Sequence, residues 1–305
     1  MPSPSPWAVC TALARADVFV EPSEVRIEAR DERWLVRLPG QRLAWLAASA
    51  SGAERMRTER RVLRILAARC SFAVPRILFE DPTGEFDVRT RVPGDADPVQ
   101  LYAEIRADGG LAARVGAAVG AMLAEQHSRV DADDVVGWLP DRVTWPRAAA
   151  WVHQQLPRVV NDAPLISSAI GVMEAYENVP VLDPDRALVH GDVALHNLAV
   201  DPETHRLHGL FDYADAAWAD RHHDFQYLVL DVDRWDLLDA AVSAYERVAR
   251  KRILRDRVLL YHAACAITFL ASRAGRNPDE RWCGRTLRED LQWSRLAIDR
   301  VRGAA

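Results

Sequence analysis

Three polar residues stand in an order that chemistry can use. Asp192 lies in Val189-His190-Gly191-Asp192, Asn197 follows five residues later, and Asp212 closes Leu210-Phe211-Asp212. Phosphoryl transfer from a nucleotide asks for such groups. One carboxylate accepts the proton of an attacking hydroxyl, and an amide with a second carboxylate holds Mg²⁺ against the phosphates. An ionised carboxylate is purely an acceptor, and Asn adds a metal ligand without further negative charge. Loop Asp and Asn also commonly bond their own backbone, so none of the three carries this reading alone. The ordered set does.

Such residues need strands to carry them and turns to expose them. Residues 187–190, 198–200 and 207–213 read as three short strands, the last two joined by the turn at Asp201-Pro202. Around them the chain is helical. Leu111, Val115, Val119, Met122 and Leu123 repeat at helical spacing up to His127, and the helical pattern resumes from Asp224. The first ninety residues differ. Short β-like runs at 18–20, 25–29 and 34–38 alternate with turns, Pro39-Gly40 among them, and 42–47 suits a strand or a helix start. Residues 53–68 form a helix with Met56, Val62, Leu63 and Leu66 on one apolar face. Residues 75–80 and 86–92 flank Asp81-Pro82-Thr83-Gly84 as a hairpin. Val92-Pro93-Gly94-Asp95 ends the β-rich part. The expected fold class is α+β in two lobes: a small β-rich lobe at 1–92 and a larger, mainly helical lobe at 93–305.

Composition narrows the classes. The net charge of −5 over 305 residues, with no basic stripe, argues against a nucleic-acid partner. No apolar run approaches the ~18 residues of a membrane span. Met1-Pro2-Ser3-Pro4-Ser5-Pro6 lacks the basic and apolar regions of a secretory signal and reads as a loose tail. Cys10, Cys70, Cys265 and Cys283 form no CxxC pair, which suits free thiols in a cytoplasmic protein better than a zinc ribbon or a disulfide framework. His205, His208, His222 and His223 lack the spacing of a catalytic zinc site, and no GxSxG elbow is present. Of 39 basic residues only Lys251 is a lysine, and it stands between two arginines, so a Walker A loop is excluded.

His190-Gly191-Asp192, Asn197 and Asp212 together resemble the catalytic signature of the aminoglycoside phosphotransferases and their protein-kinase-like relatives. Ala219-Asp220-Arg221-His222-His223-Asp224 resembles the Ala-Asp-Arg-x-x-Asp segment of the 3′-type enzymes. The resemblance is specific from Leu188 to Leu228. It implies a kinase-like fold and a small-molecule hydroxyl acceptor, most simply an aminoglycoside, with ATP or GTP and Mg²⁺ as cofactors. Carried over by position, His190 and Asp192 are the catalytic residues, with Asp192 as base. Asn197 and Asp212 are the metal ligands. Asp224 braces the loop and, with Asp231 and Trp218, stands where an acceptor would bind; Asp231, Asp233, Asp236 and Asp239 form an acidic run there.

The small lobe departs from the pattern in two places. The candidate β1–β2 turn, Glu21-Pro22-Ser23-Glu24, has no glycine, so Ser23 and nearby backbone N–H groups stand in as the phosphate-binding loop. The strand lysine that kinases pair with a helix glutamate is missing too. Glu59 lies on the inward face with Met56, Leu63 and Leu66, where a carboxylate is costly without a cation. Arg37 is the expected partner. The alternatives left open are a macrolide or metabolic alcohol as acceptor, and a catalytically weak pseudokinase serving as a binding module.

Overall fold

A computed structural model describes residues 3–94, 98–230 and 234–304. The chain divides into two compact units. The first takes Met1–Ala96 with two later segments, Arg129–Leu139 and His196–Ala216; the second takes Asp97–Ser128, Pro140–Leu195 and Ala217–Ala305.

The first unit is built on an antiparallel sheet of β1 (Ile27–Arg30), β2 (Arg33–Leu38), β3 (Arg42–Ala47), β4 (Ile77–Glu80) and β5 (Phe86–Thr90), in the order β1-β2-β3-β5-β4. Alternation sorts its faces. Val36, Leu38, Ala44, Phe86 and Val88 point one way, into a core closed by Val9 and Leu13 of helix α1 (Pro6–Ala14). Ser5 caps that helix by accepting the Ala8 N–H, so the expected loose tail holds a helix from Pro6. Residues 18–20 form no strand. Val18 is buried in the same core on an irregular link, and the turn at Glu21–Glu24 ends it before β1 begins.

Helix α2 (Ala50–Arg69) follows β3 directly. Ser49 caps it through the Gly52 N–H, and Met56, Glu59, Arg60, Val62, Leu63 and Leu66 are its buried stripe. Gly52 is required by close approach. A Cβ there would stand 2.2 Å from the Glu32 carbonyl oxygen, which also accepts the Ala48 N–H at 2.8 Å. The two-residue β1–β2 turn, Asp31-Glu32, is thereby set on the first turn of α2. The remainder of the unit comprises Arg129, a short helix at Ala132–Val135, and the ribbon described below.

The second unit is mainly helical. It contains α3 (Pro98–Ala107), most of α4 (Gly109–Arg129), the longer helices at Ala163–Glu177, Trp235–Ala249, Arg255–Ala271 and Leu287–Ala304, and the strand pair Arg186–Val189 with Ala217–Asp220. Its main core joins Leu156, Met173, Ile267, Leu270 and Ile298. No helix among the described residues is long and apolar enough to cross a membrane.

Candidate active site

In the first unit, strands Leu198–Val200 and Leu207–Leu210 pair antiparallel with Leu198 opposite Leu210. That register sets Asn197 against Phe211, whose N–H donates to the Asn197 carbonyl at 3.1 Å. Asp212 is the next residue, so the two residues expected to hold metal sit at one end of one ribbon. Asp212 has φ +65° and ψ +60°, a left-handed conformation that Asp adopts more readily than most side chains. Its side chain is 38% exposed; Oδ1 accepts from Arg33 Nη2 at 3.2 Å, and Oδ2 makes no hydrogen bond among the described residues. A partly open carboxylate beside an amide supplies hard oxygen donors of the kind Mg²⁺ takes, so the pair fits that ion.

Behind Asp212 lies a buried cluster of charges. Arg33, 1% exposed, donates from Nη1 to Glu59 Oε2 at 3.1 Å. Arg89 Nη1 meets the same Glu59 oxygen at 2.7 Å and grips Asp87 through Nε and Nη2 at 2.6 and 2.9 Å. Arg60 reaches Asp87 Oδ2 at 3.0 Å. The Arg33 guanidinium also lies over the Trp45 ring, 4.6 Å from its centroid. Buried charges are tolerated only when paired, and here three arginines meet Glu59, Asp87 and Asp212, with Arg60 Nε also paired with the half-buried Glu80 at 3.0 Å. Burial works against a charged Arg33, but the Glu59 and Asp212 carboxylates outweigh it and hold the guanidinium above its ordinary pKa.

Glu59 therefore faces inward, as its helical position requires, but its partner is not Arg37. Arg37 bonds Glu28 Oε1 through Nε at 2.8 Å, and its side chain is 55% exposed. Arg33 and Arg37 share one face of β2, and four residues of strand separate them by about 13 Å. Parity allows both residues. Position favours Arg33, next to the turn that rests on α2. β3, the strand before α2, carries Trp45 toward the cluster instead of a cation. Ser23 is corrected as well. It precedes β1, its carbonyl accepts from Arg26 Nη1 at 2.7 Å, and the true β1–β2 turn is Asp31-Glu32. Arg60 and Arg89 are functional-looking residues that the sequence reading misses. Arg60 is one turn beyond Met56 on the buried stripe, so its inward position was readable.

In the second unit, strand Arg186–Val189 delivers the loop His190-Gly191-Asp192. Gly191 has φ +84°, a conformation open to glycine at no steric cost. His190 is fully buried, and its Nδ1 accepts the Asp192 N–H at 3.1 Å, so it positions the loop and has no surface to offer a substrate. Asp192 is partly exposed. Asp224 accepts the His190 N–H at 3.0 Å, the Gly191 N–H at 2.9 Å and His127 Nε2 at 2.9 Å, and His127 Nδ1 meets the Tyr245 hydroxyl at 3.1 Å. Burial alone would raise the Asp224 pKa, but the His127 bond and the other donors hold it below the usual carboxylate value. Being fully buried, Asp224 is a brace and not an acceptor contact.

Four residues before Asp224, Asp220 accepts from the Tyr261 hydroxyl at 2.6 Å and from Arg257 Nη1 at 3.1 Å. Since His222 Nε2 accepts the Leu254 N–H, the ring's proton lies on Nδ1, which donates to Asp220. Trp218, half-buried on strand Ala217–Asp220, pairs opposite Leu188. Asp231 and Asp233 lie outside the described residues. Of the rest of the acidic run, Asp236 is paired by Arg234 at 2.5 Å and Asp239 by Arg255.

Residues 20–261 match the model of the phosphotransferase enzyme family, and the chain belongs to that family. It is a small-molecule phosphotransferase acting on a hydroxyl group, with a kinase-like fold. Among solved structures it is similar to the GDP complex of wild-type aminoglycoside 2'-phosphotransferase-IIIa, at 16% identity and TM-score 0.71 over 96% of this chain and 98% of that one. The apoenzyme of macrolide 2'-phosphotransferase MphH from Brachybacterium faecium matches at 20% identity and TM-score 0.62, over 90% and 99%. The streptomycin-ATP-APH(2")-IIa ternary complex matches at 15% and 0.65, over 98% and 97%. No protein of curated function matches the sequence significantly.

Proposed function

We propose that the protein transfers the γ-phosphoryl group of ATP or GTP to a hydroxyl of an aminoglycoside, with Mg²⁺ as the metal. The observation that carries this reading is the reach of the buried Arg33–Glu59 pair to Asp212, at the end of the ribbon that also presents Asn197. Asn197 and Asp212 would hold Mg²⁺, which supplies charge neutralisation on the phosphates. Asp192 accepts the proton of the acceptor hydroxyl as its oxygen bonds to the γ-phosphorus, and the bond to the β-phosphate oxygen breaks to release the nucleoside diphosphate. The Asp224 brace keeps the Asp192 loop in one conformation. Three similar structures support the acceptor class by what they hold: kanamycin, streptomycin and gentamicin.

A macrolide acceptor is the second reading. It is favoured by the arginines that neutralise Asp236 and Asp239, since a polycation gains little from carboxylates already paired. The test is a panel of aminoglycosides, macrolides and simple alcohols incubated with ATP or GTP and Mg²⁺, with products read by mass. Phosphorylated aminoglycoside supports the proposal, and salt-sensitive binding should accompany it. A phosphorylated macrolide alone would transfer the reading to the neutral, apolar acceptor, and no phosphorylated product from any member would reject it.

A further inference from the structure

α2 meets the Asp212 turn at two points. Glu59 reaches Asp212 through Arg33, and one helical turn earlier Arg55 Nη2 donates directly to Asp215 Oδ1 at 3.0 Å. Between those points lies one short turn. Asp212 enters it in the left-handed conformation and caps nothing with its own side chain, and the Ala216 N–H closes it on the Tyr213 carbonyl at 3.2 Å. A non-glycine residue stays left-handed only where its surroundings over-determine it. The Arg33 contact is ill suited to that work, because Asp212 Oδ1 is an oxygen that Mg²⁺ would take. Arg55 grips the far end of the turn through a residue that is no ligand, so its hold does not compete with the ion.

The same guanidinium faces a second turn. Arg55 Nη1 lies 3.9 Å from Asp31 Oδ2, and Asp31 is the left-handed residue, φ +52°, of the β1–β2 turn. A planar fork can face two carboxylates at once, which a single ammonium on a flexible stem does less well. Arg55 and Asp215 are partly exposed, 27% and 37%, and pairs of that kind add little to stability. What the pair supplies is position.

We propose that Arg55 is a positioning residue of the metal site: it holds Asp215 so that the left-handed turn aims Asp212 at the ion, and it sets that turn against Asp31 of the β1–β2 turn. This rests on the assignment of Asp212 and Asn197 to Mg²⁺ proposed above.

The test is titration with Mn²⁺, with and without ADP, followed by electron paramagnetic resonance and paired with thermal melting. The proteins are the wild type, Arg55→Met, Arg55→Lys, Asp215→Asn, the double variant Arg55→Met with Asp215→Asn, Arg57→Met and Asp212→Asn. Arg55→Met and Asp215→Asn should each weaken Mn²⁺ about tenfold, the usual cost of losing a group that orients a ligand, while melting stays within about 3 °C of the wild type. The double variant should be no weaker than either single one, since both remove the same bond. Arg55→Lys should retain affinity within about threefold, because it keeps the charge and one point of contact. Arg57→Met, whose pair with Glu54 lies on the surface of the same helix, should match the wild type within about twofold. Charge alone predicts a different pattern: losing Arg55 would tighten a bound cation and losing Asp215 would loosen it. Mn²⁺ binding in Arg55→Met that equals or exceeds the wild type would therefore overturn the positioning role. A wild type that binds no Mn²⁺, or an Asp212→Asn variant that binds it as tightly as the wild type, would instead reject the metal assignment and this role with it.

Discussion

Glu59 is the residue on which the first unit's charges turn, because Arg33 and Arg89 both end on its Oε2. Removing its charge leaves two buried guanidinium groups with one carboxylate fewer, and breaking buried pairs in this way typically costs about 3–5 kcal/mol. Glu59→Gln should lose about 3 kcal/mol of stability in urea unfolding; a change within experimental error would show that the cluster tolerates a net charge. The contrast between Arg33 and Arg37 shows where residue-level reading stops. Helical periodicity was enough to put Glu59 inside, and burial was enough to demand a cation. Which arginine answers depends on where β2 passes the helix, and strand parity leaves both eligible. His190 shows the same limit: the motif marks it, but only the Nδ1 bond to the Asp192 N–H reveals that its work is positional.

At the scale of elements, the β1–β2 turn, α2 and the Asp212 ribbon form one connected set. Gly52 admits the turn, Glu59 and Arg33 join α2 to Asp212, and Arg55 of α2 bonds Asp215 at 3.0 Å, three residues further on. A methyl group at Gly52 would collide with the Glu32 carbonyl, and overpacking of this kind costs about 1–3 kcal/mol. Gly52→Ala should therefore be destabilised and should bind nucleotide less well. Gly171→Ala, in helix Ala163–Glu177 with nothing within 4 Å of the new methyl group, should be neutral or slightly stabilised by thermal melting. Equal melting points for both would mean that the turn does not rest on α2. Strand 34–38 and the helix over 53–68 were legible from their periodicity and 198–200 from its short apolar run, whereas 42–47 stayed open between a strand and a helix start, and its pairing with β2 and β5 makes it a strand. The strand expected at 18–20 failed because only Val18 of that run is buried, Phe19 being exposed, and the segment pairs with none of the five strands of the sheet.

At the scale of the whole molecule, the chain does not divide at a single point. The sequence marks one break near Pro93, whereas the first unit also takes in residues 129–139 and 196–216, so the proposed metal ligands belong to it and Asp192 to the second. Composition carries no trace of that, since recruitment of distant segments is a matter of long-range pairing. The second unit predicts how stability follows pH. Burial pulls the pKa of His223 from near 6.5 down to about 4. The unfolded chain then binds a proton that the folded one refuses, so this contribution is complete above about pH 6.5 and is lost as pH falls toward 4, worth on the order of 3 kcal/mol. Asp220 and Asp224, both held below the ordinary carboxylate range, add a further loss only below about pH 4. Urea midpoints should fall from pH 7 to pH 4.5, and His223→Gln should flatten that slope; a wild type with equal midpoints would contradict the neutral, buried imidazole. On the proposed function the two carboxylates divide the labour, Asp192 serving the acceptor and Asp212 the nucleotide. That division is tested most directly by measuring turnover and Mg²⁺-nucleotide affinity together in Asp192→Asn. Turnover should fall by at least ~10², the usual worth of a general base, with affinity within about twofold of the wild type. Full turnover in that variant would contradict it.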